Sequence, residues 1–337
     1  MLWKQIEAGS GKPLSFRQRL ILSIAIGTLS AAVICLRLSQ GAQEAADFTW
    51  SWRAAQMLLA GENPYQAIQP SGAYPYQTYF YYPLPAALVA LPFAWLLPHL
   101  AGALFFGISA GWLAFALTRS GWKHLPLFLS APFFVSAAVV QWAPLLLAAA
   151  FCPWSQALLA CKPNLGLGLF LYKPSWRGLL TGAALIVLSW LILPSWPFDW
   201  LKVVKTLQGH PPPFLILPLG PILLLALLRW SFPEGRLFLA LSLLPQLLFF
   251  YDQLPLWLVA QDFRQSLLLS ALSWVAYFTW RMRGMDPISR AVLRQPGPHI
   301  LALIYLPALL LLLLPELKRW RKLPGKMFAL VVYSIQP

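Results

Sequence analysis

Residues able to do chemistry are few in this chain, since 10 of its 337 residues are Asp or Glu and 25 are Lys or Arg. Asp47 lies just beyond the first apolar segment and just ahead of a stretch that reads as a short helix. A carboxylate at such a water boundary can take a proton from a hydroxyl, and a positioned base contributes ~10²–10⁴-fold to a rate. The same residue can instead cap the helix starting at Phe48, a role that Asp fills for about 1 kcal/mol. Lys162 sits in an apolar stretch, where an ionisable side chain is costly and by default points to function. The competing reading is a lysine snorkelling from a helix end. Arg37 and Arg53 flank the segment that carries Asp47 and can hold an anion or be solvated at an interface. Asp252 and His210 are polar residues expected on the same side as Asp47. Glu62 and Asn63 shape a turn, and Asn63 can also meet a ligand. No His, Asp and Glu spacing fits a metal, no glycine-rich phosphate loop occurs, and no Ser/His/Asp set can be assembled, so neither metal nor cofactor is expected.

These residues need elements to hold them. Residues 46–82 form a long polar interruption in a chain whose apolar segments are otherwise closely connected. On a wheel of 100° per residue, Thr49, Arg53, Gln56 and Ala60 form a polar stripe, while Phe48, Trp52, Ala55 and Leu59 form an apolar one. Gly61 ends this helix and Asn63-Pro64 turns the chain. Such a helix is expected to lie in the interface plane with its apolar side in the lipid headgroups. The tyrosines and tryptophans of the loop, Tyr82 among them, suit an interfacial belt or stacking on a sugar ring. Residues 194–213 form a second polar loop, whose Trp196, Phe198, Trp200 and Val204 predict another interfacial helix.

The remaining chain is apolar: 59% of residues are hydrophobic and 10% charged, too little charge for a soluble domain of this length. The pattern predicts an all-α, polytopic membrane bundle of about eleven spans in a single domain, 1–337. Residues 1–19 form a cytoplasmic tail, 46–82 an external loop with an interfacial helix, 83–315 the bundle and 316–337 a C-terminal tail. The first span, 20–36, is read as uncleaved. Segments 84–97 and 101–118 predict a helical hairpin, and 125–140 with 143–160 a second one parted at Gln141-Trp142. Segment 165–172 is too short to cross ~30 Å of hydrocarbon, and a half-helix of that kind needs protein or a cavity around it. Spans at 178–193, 214–228 and 237–250 follow. Residues 255–280 read as one tilted span or two short ones. The basic runs 281–294 and 318–326 both call for the cytoplasm, yet one span, 300–314, separates them, so the side of the C-terminus is left open. The net charge of +15 lies in short connections between apolar segments, which favours anionic lipid as a partner over nucleic acid. Cys35, Cys152 and Cys161 read as buried small hydrophobes, and 31 prolines predict several broken helices.

The run D-F-x-x-x-W-x-A-A, then L-L-x-G-x-N-P-Y, then a Y-Y-P-x-P ending resembles the first external loop of membrane glycosyltransferases with the GT-C fold. The resemblance is to glycosyltransferase family 87, the polyprenol-phosphate-mannose-dependent mannosyltransferases. Asp47, Phe48, Trp52, Ala54, Ala55, Leu58, Leu59, Gly61, Asn63, Pro64, Tyr65, Tyr82 and Pro83 carry it, and Cys161-Lys162-Pro163-Asn164 resembles a Lys-Pro element of the same family. Gln141 is all that this chain offers of a Gly-Gln-x-Asn element. The resemblance implies transfer of a sugar, mannose in that family, from a polyprenyl-phosphate donor to a lipid or glycan acceptor, with inversion. Asp47 would then be the base, with Lys162, Arg53, Asn63, Tyr82 and Asp252 contacting substrate and Lys162 balancing the phosphate. It also implies a multi-pass protein of a bacterial inner membrane. A transporter or flippase of a lipid-linked saccharide is the alternative from another class, and a catalytically inactive scaffold a third.

Overall fold

A computed structural model describes residues 13–40, 45–72, 78–207, 210–282 and 296–320, the last five without side-chain detail. Every regular element among them is helical. Three helices are long and apolar enough to cross a membrane, Phe16–Ser39 (α1), Pro98–Ser120 and Gly297–Pro315. The number rises to five if two sharply bent pairs each count as one span. Trp176–Ile192 leaves Leu180, Val187 and Leu191 largely exposed, an apolar face of the kind lipid covers. This is the architecture of a helical membrane protein.

Helix α1 starts at a complete capping box, in which Ser15 accepts from the Gln18 amide and the Gln18 side chain accepts from the Ser15 amide. It packs antiparallel on the helix of residues 98–117. A Cβ on Gly27 would come within 2.8 Å of the Gly107 carbonyl oxygen, so glycine is what lets the two backbones approach. Ser23 Oγ donates to the Gly111 carbonyl at 2.6 Å in the same seam.

Three further parts of the chain each climb towards Asp47, turn, and descend. Ala131–Ala138 (α2) rises to Gln141, where the chain bends by 115° into Ala143–Ala149 (α3). The 3-10 stretch Pro153–Cys161 rises to Lys162, and Pro163–Tyr172 (α4) leads away. Pro233–Leu243 (α5) and the extended residues after it rise to Asp252, and the 3-10 stretch Leu254–Val259 leads back. Both ends of the second reversal are tied together, since Gln156 Nε2 donates to the Lys173 carbonyl at 2.7 Å. Prolines at the first turn of α2, α3 and α4 explain the breaks, because a proline there has no N–H to continue the preceding helix.

Such short and 3-10 segments leave backbone groups that lipid could not satisfy. Phe263–Arg281 (α6) supplies partners for one of them. Ser270 Oγ donates to the Pro126 carbonyl at 2.6 Å, Trp274 Nε1 to that of Leu129 at 2.7 Å, and Ser273 Oγ accepts from the Ala131 amide at 3.0 Å. The small polar residues that dilute the hydropathy of α6 therefore face inward. Asp262 caps this helix, its Oδ1 accepting from the Gln265 amide at 2.9 Å, so 255–280 is two segments parted at 260–262.

Other expectations are corrected. The predicted hairpin of 84–97 with 101–118 is not formed by two spans. Leu84–Ala90 and Leu91–Phe93 are short and stay on the Asp47 side, where Trp52 Nε1 donates to the Phe93 carbonyl at 2.9 Å. The helix after Asp47 runs Thr49–Leu59 and does not lay its apolar stripe in headgroups. Phe48, Trp52 and Ala55 are buried in the protein core, and Thr49 of the polar stripe is buried too. Packing won because the Phe48 ring meets Phe93 and Phe105, while Trp52 Nε1 finds the Phe93 carbonyl. The second polar loop does carry a helix, Trp196–Lys205, set at 98° to the preceding one. Of the two basic runs, 283–294 and 321–326 lie outside the described residues, as do Tyr74 and Tyr76.

Candidate functional site

The three reversals and the loop that follows α1 meet at four polar side chains. The loop delivers Asp47 in a single 3-10 turn, Ala46–Phe48, which is anchored by the Phe48 ring stacked on Phe105 with centroids 4.0 Å apart. Asp47 does not cap the following helix, whose cap position is Phe48 and has no side-chain cap. Its amide donates to the Val139 carbonyl at 2.9 Å, and its Oδ2 accepts a short hydrogen bond from Gln141 Nε2. Two non-glycine residues flank this tie with left-handed backbone, Ala46 at φ 51° and Val140 at φ 53°. For a β-branched residue that conformation is strained and persists only where surrounding contacts over-determine it.

From Gln141 the network continues. Lys162 Nζ donates to Gln141 Oε1 at 3.2 Å and to Asp252 Oδ1 at 2.6 Å. The ammonium also stands 4.9 Å from the Tyr251 ring centroid. The lysine side chain is 13% exposed and Asp252 2%, so this is a buried ion pair and not a snorkelling lysine. Tyr82 closes another side, its ring against Trp142. The cluster thus holds two carboxylates against one ammonium. Burial pushes the Asp47 carboxyl up to about 6, opposed by the Lys162 charge and the Gln141 hydrogen bond and aided by the Asp252 charge. A carboxyl so placed is ionised at neutral pH yet poised to accept a proton, which is what a general base needs.

Asp47, Lys162, Tyr82 and Asp252 are therefore brought together out of the six residues expected to act. Arg53 and Asn63 are not part of this cluster. Arg53 donates to Gln56 Oε1 at 2.8 Å and lies over the Trp52 ring. Asn63 Oδ1 caps the short helix Pro64–Ala67, accepting from the Tyr65 amide at 3.0 Å, and its Nδ2 donates to Asp199 Oδ2 at 2.9 Å. It joins the two polar loops, helped by Trp200 Nε1 donating to the Tyr81 carbonyl at 2.9 Å. His210 lines a separate, mostly apolar cavity of about 610 Å³ with Val204, Leu207, Ile216, Pro245 and Leu248. Its wall shares the segment that bears Asp252, and Asn164 reaches the Pro245 carbonyl from beside Lys162.

Gln141 and Tyr251 were not singled out as site residues by sequence reasoning. The signals available were Gln141 as the remnant of a Gly-Gln-x-Asn element and as the first strongly polar side chain in a long apolar run, at the point where the run divides. Compared with models of known families, with characterised proteins and with solved structures, the chain matches none.

Proposed function

We propose that this protein is a membrane glycosyltransferase that uses Asp47 as the base. The donor would be a polyprenyl-phosphate sugar, with mannose the first candidate, and the acceptor a hydroxyl of a lipid or glycan. The supporting observation is the Asp47 carboxylate held by Gln141 beside the Lys162–Asp252 pair, at the place where the loop after α1 meets the three reversals. The acceptor oxygen attacks the anomeric carbon as its proton passes to Asp47, the bond to the lipid phosphate breaks, and the configuration inverts. Lys162 is the cation for the departing phosphate. Reaching it requires that phosphate replace Asp252 as the lysine's partner, because the pair is closed in this structure. The separate cavity lined by Val204, Leu207, Ile216, Pro245 and Leu248 offers apolar room for part of the lipid. The finer expectation of a GT-C-like bundle of about eleven spans belongs to the same proposal, as does placement in a bacterial inner membrane.

A second reading has an observation of its own. Buried ionisable residues at the junction of broken helices are also how transporters hold a polar substrate. On that reading the protein moves a lipid-linked saccharide unchanged. Incubating the purified protein in vesicles with labelled polyprenyl-phosphate sugars separates the two. Label passing to an acceptor supports the transferase, and unchanged donor crossing the bilayer supports the transporter. Neither event with any polyprenyl-phosphate sugar would refute both.

A further inference from the structure

We infer that Gln141 is a positioning residue that leaves Oδ1 of Asp47 as the proton-accepting atom of the site. The inference rests on the base role proposed above for Asp47, but its geometry can be tested without substrate.

Lysine has donors and no acceptor, so Lys162 can bind the Gln141 amide only at oxygen. The Trp142 amide also points at that oxygen, at 3.4 Å. The orientation of the Gln141 amide is thereby settled, and its NH2 must face Asp47 Oδ2. With Oδ2 engaged, Oδ1 is the free face of the carboxylate, for no hydrogen bond reaches it among the described residues. The backbone enforces the same aim. The Gln141 amide donates to the Ser136 carbonyl at 2.9 Å, one residue further back than an α-helix would reach, and Val140 takes up the left-handed turn that follows. Gln141 itself is 2% exposed and has no room to swing away.

Residue type matters as well as place. Glutamate here would add a third negative charge to a cluster that holds one lysine. Asparagine is one methylene shorter and could not reach both Asp47 and Lys162. The groups that face Asp47 are Lys162 ahead of α4, Asp252 and Tyr251 from the segment after α5, and Tyr82 ahead of Leu84–Ala90. Of these neighbours and Gln141, Gln141 is the one that donates directly to the carboxylate. A hydrogen bond to the ionised form favours ionisation, so its loss should make Asp47 harder to ionise.

The test is an infrared titration of the full-length protein in detergent, following the carboxylic C=O stretch against pH. Asp47→Asn assigns the band. The wild-type band should disappear with a midpoint near 6. In Gln141→Met, close in shape but without the donor, the midpoint should rise by about one pH unit, a tenfold change in the ionisation equilibrium. Gln141→Asn should behave like Gln141→Met, and serves if the methionine variant does not fold. An unchanged midpoint in a folded variant overturns the positioning role, as does a titrating band that survives Asp47→Asn. Because no substrate is present, these outcomes are independent of whether sugar transfer is found. If transfer is found, the acid limb of its rate profile should move up with the same midpoint.

Discussion

Asp47 brings two opposite pH dependences together in one side chain. Its carboxyl is raised by burial from 3.8 to about 6, so the folded protein holds that proton more tightly than the unfolded chain does. The contribution to stability is full below pH 3.8, and is lost as pH rises through about 6. Transfer runs the other way, since a base must be ionised, and should rise through pH 6. Asp47→Asn should abolish the slope of melting temperature between pH 4 and 6 and cut transfer by ~10²-fold or more, the low end of what a positioned base supplies. Asparagine still accepts from Gln141, so the fold should persist. Melting curves and initial rates on the same detergent samples check both, and near-normal turnover would remove Asp47 as the base. Lys162 is a different case. Its removal leaves two buried carboxylates without their cation, and breaking a buried pair costs roughly 3–5 kcal/mol. Lys162→Met should therefore lower the melting point sharply, and adding Asp252→Asn should recover much of the loss. If the double variant is no more stable than the single one, the pair is not what the lysine contributes.

Among the elements, the seam between α1 and residues 98–117 sets the frame on which the loop with Asp47 is hung. Leu38 of α1 and Ala45 just before Asp47 both pack on Gly102 of the facing helix. Gly27→Val would drive a side chain into the Gly107 carbonyl, 2.8 Å from where its Cβ must sit. Both folded stability and any Asp47-dependent rate should fall, read by thermal melting and by the same transfer assay. Thr28→Ala, a neighbour on the groove between the two helices, should change neither by much. Equal effects of the two substitutions would show that the close approach is not what matters. The reversals at Gln141, Lys162 and Asp252 are the other element-scale feature. Each presents one polar side chain at a bend, where backbone irregularity is tolerated because protein surrounds it.

At the scale of the molecule, the contacts sort the helix ends onto two sides. Leu14 pairs with Thr118 at one end, while Trp280 at the end of α6 packs on Phe249 and Phe250, beside Asp252. Arg281 is therefore on the Asp47 side and Arg177 on the other, where Ser175 bonds Gln156 next to Lys173. Single cysteines at Ser71 and Arg281 should label from one face with an impermeant reagent, and one at Arg177 from the opposite face. Labelling of Ser71 and Arg177 from the same face would refute the arrangement. The positive-inside tendency predicts the Arg177 side to be cytoplasmic.

By itself the sequence determined the helical membrane class, the half-helix after Lys162 and the choice of Asp47 and Lys162 as candidate site residues. Those follow from local chemistry: hydropathy over a span's length, prolines that break helices, and the cost of charge in an apolar run. It also predicted helix ends, as at Gly61, whose φ of 75° a glycine adopts without strain. Tertiary structure alone decided which polar residues meet. Asp47, Gln141, Lys162 and Asp252 are separated by 94, 21 and 90 positions in turn, and no periodicity carries information over such intervals. It also decided that Trp52 buries in protein where its amphipathic pattern predicted headgroups, because a pattern marks a face as apolar without naming what covers it. Arg53 and Asn63 were drawn into packing for the same reason: their types suit a ligand, but Arg53 bonds Gln56 and Asn63 bonds Asp199 of the second polar loop.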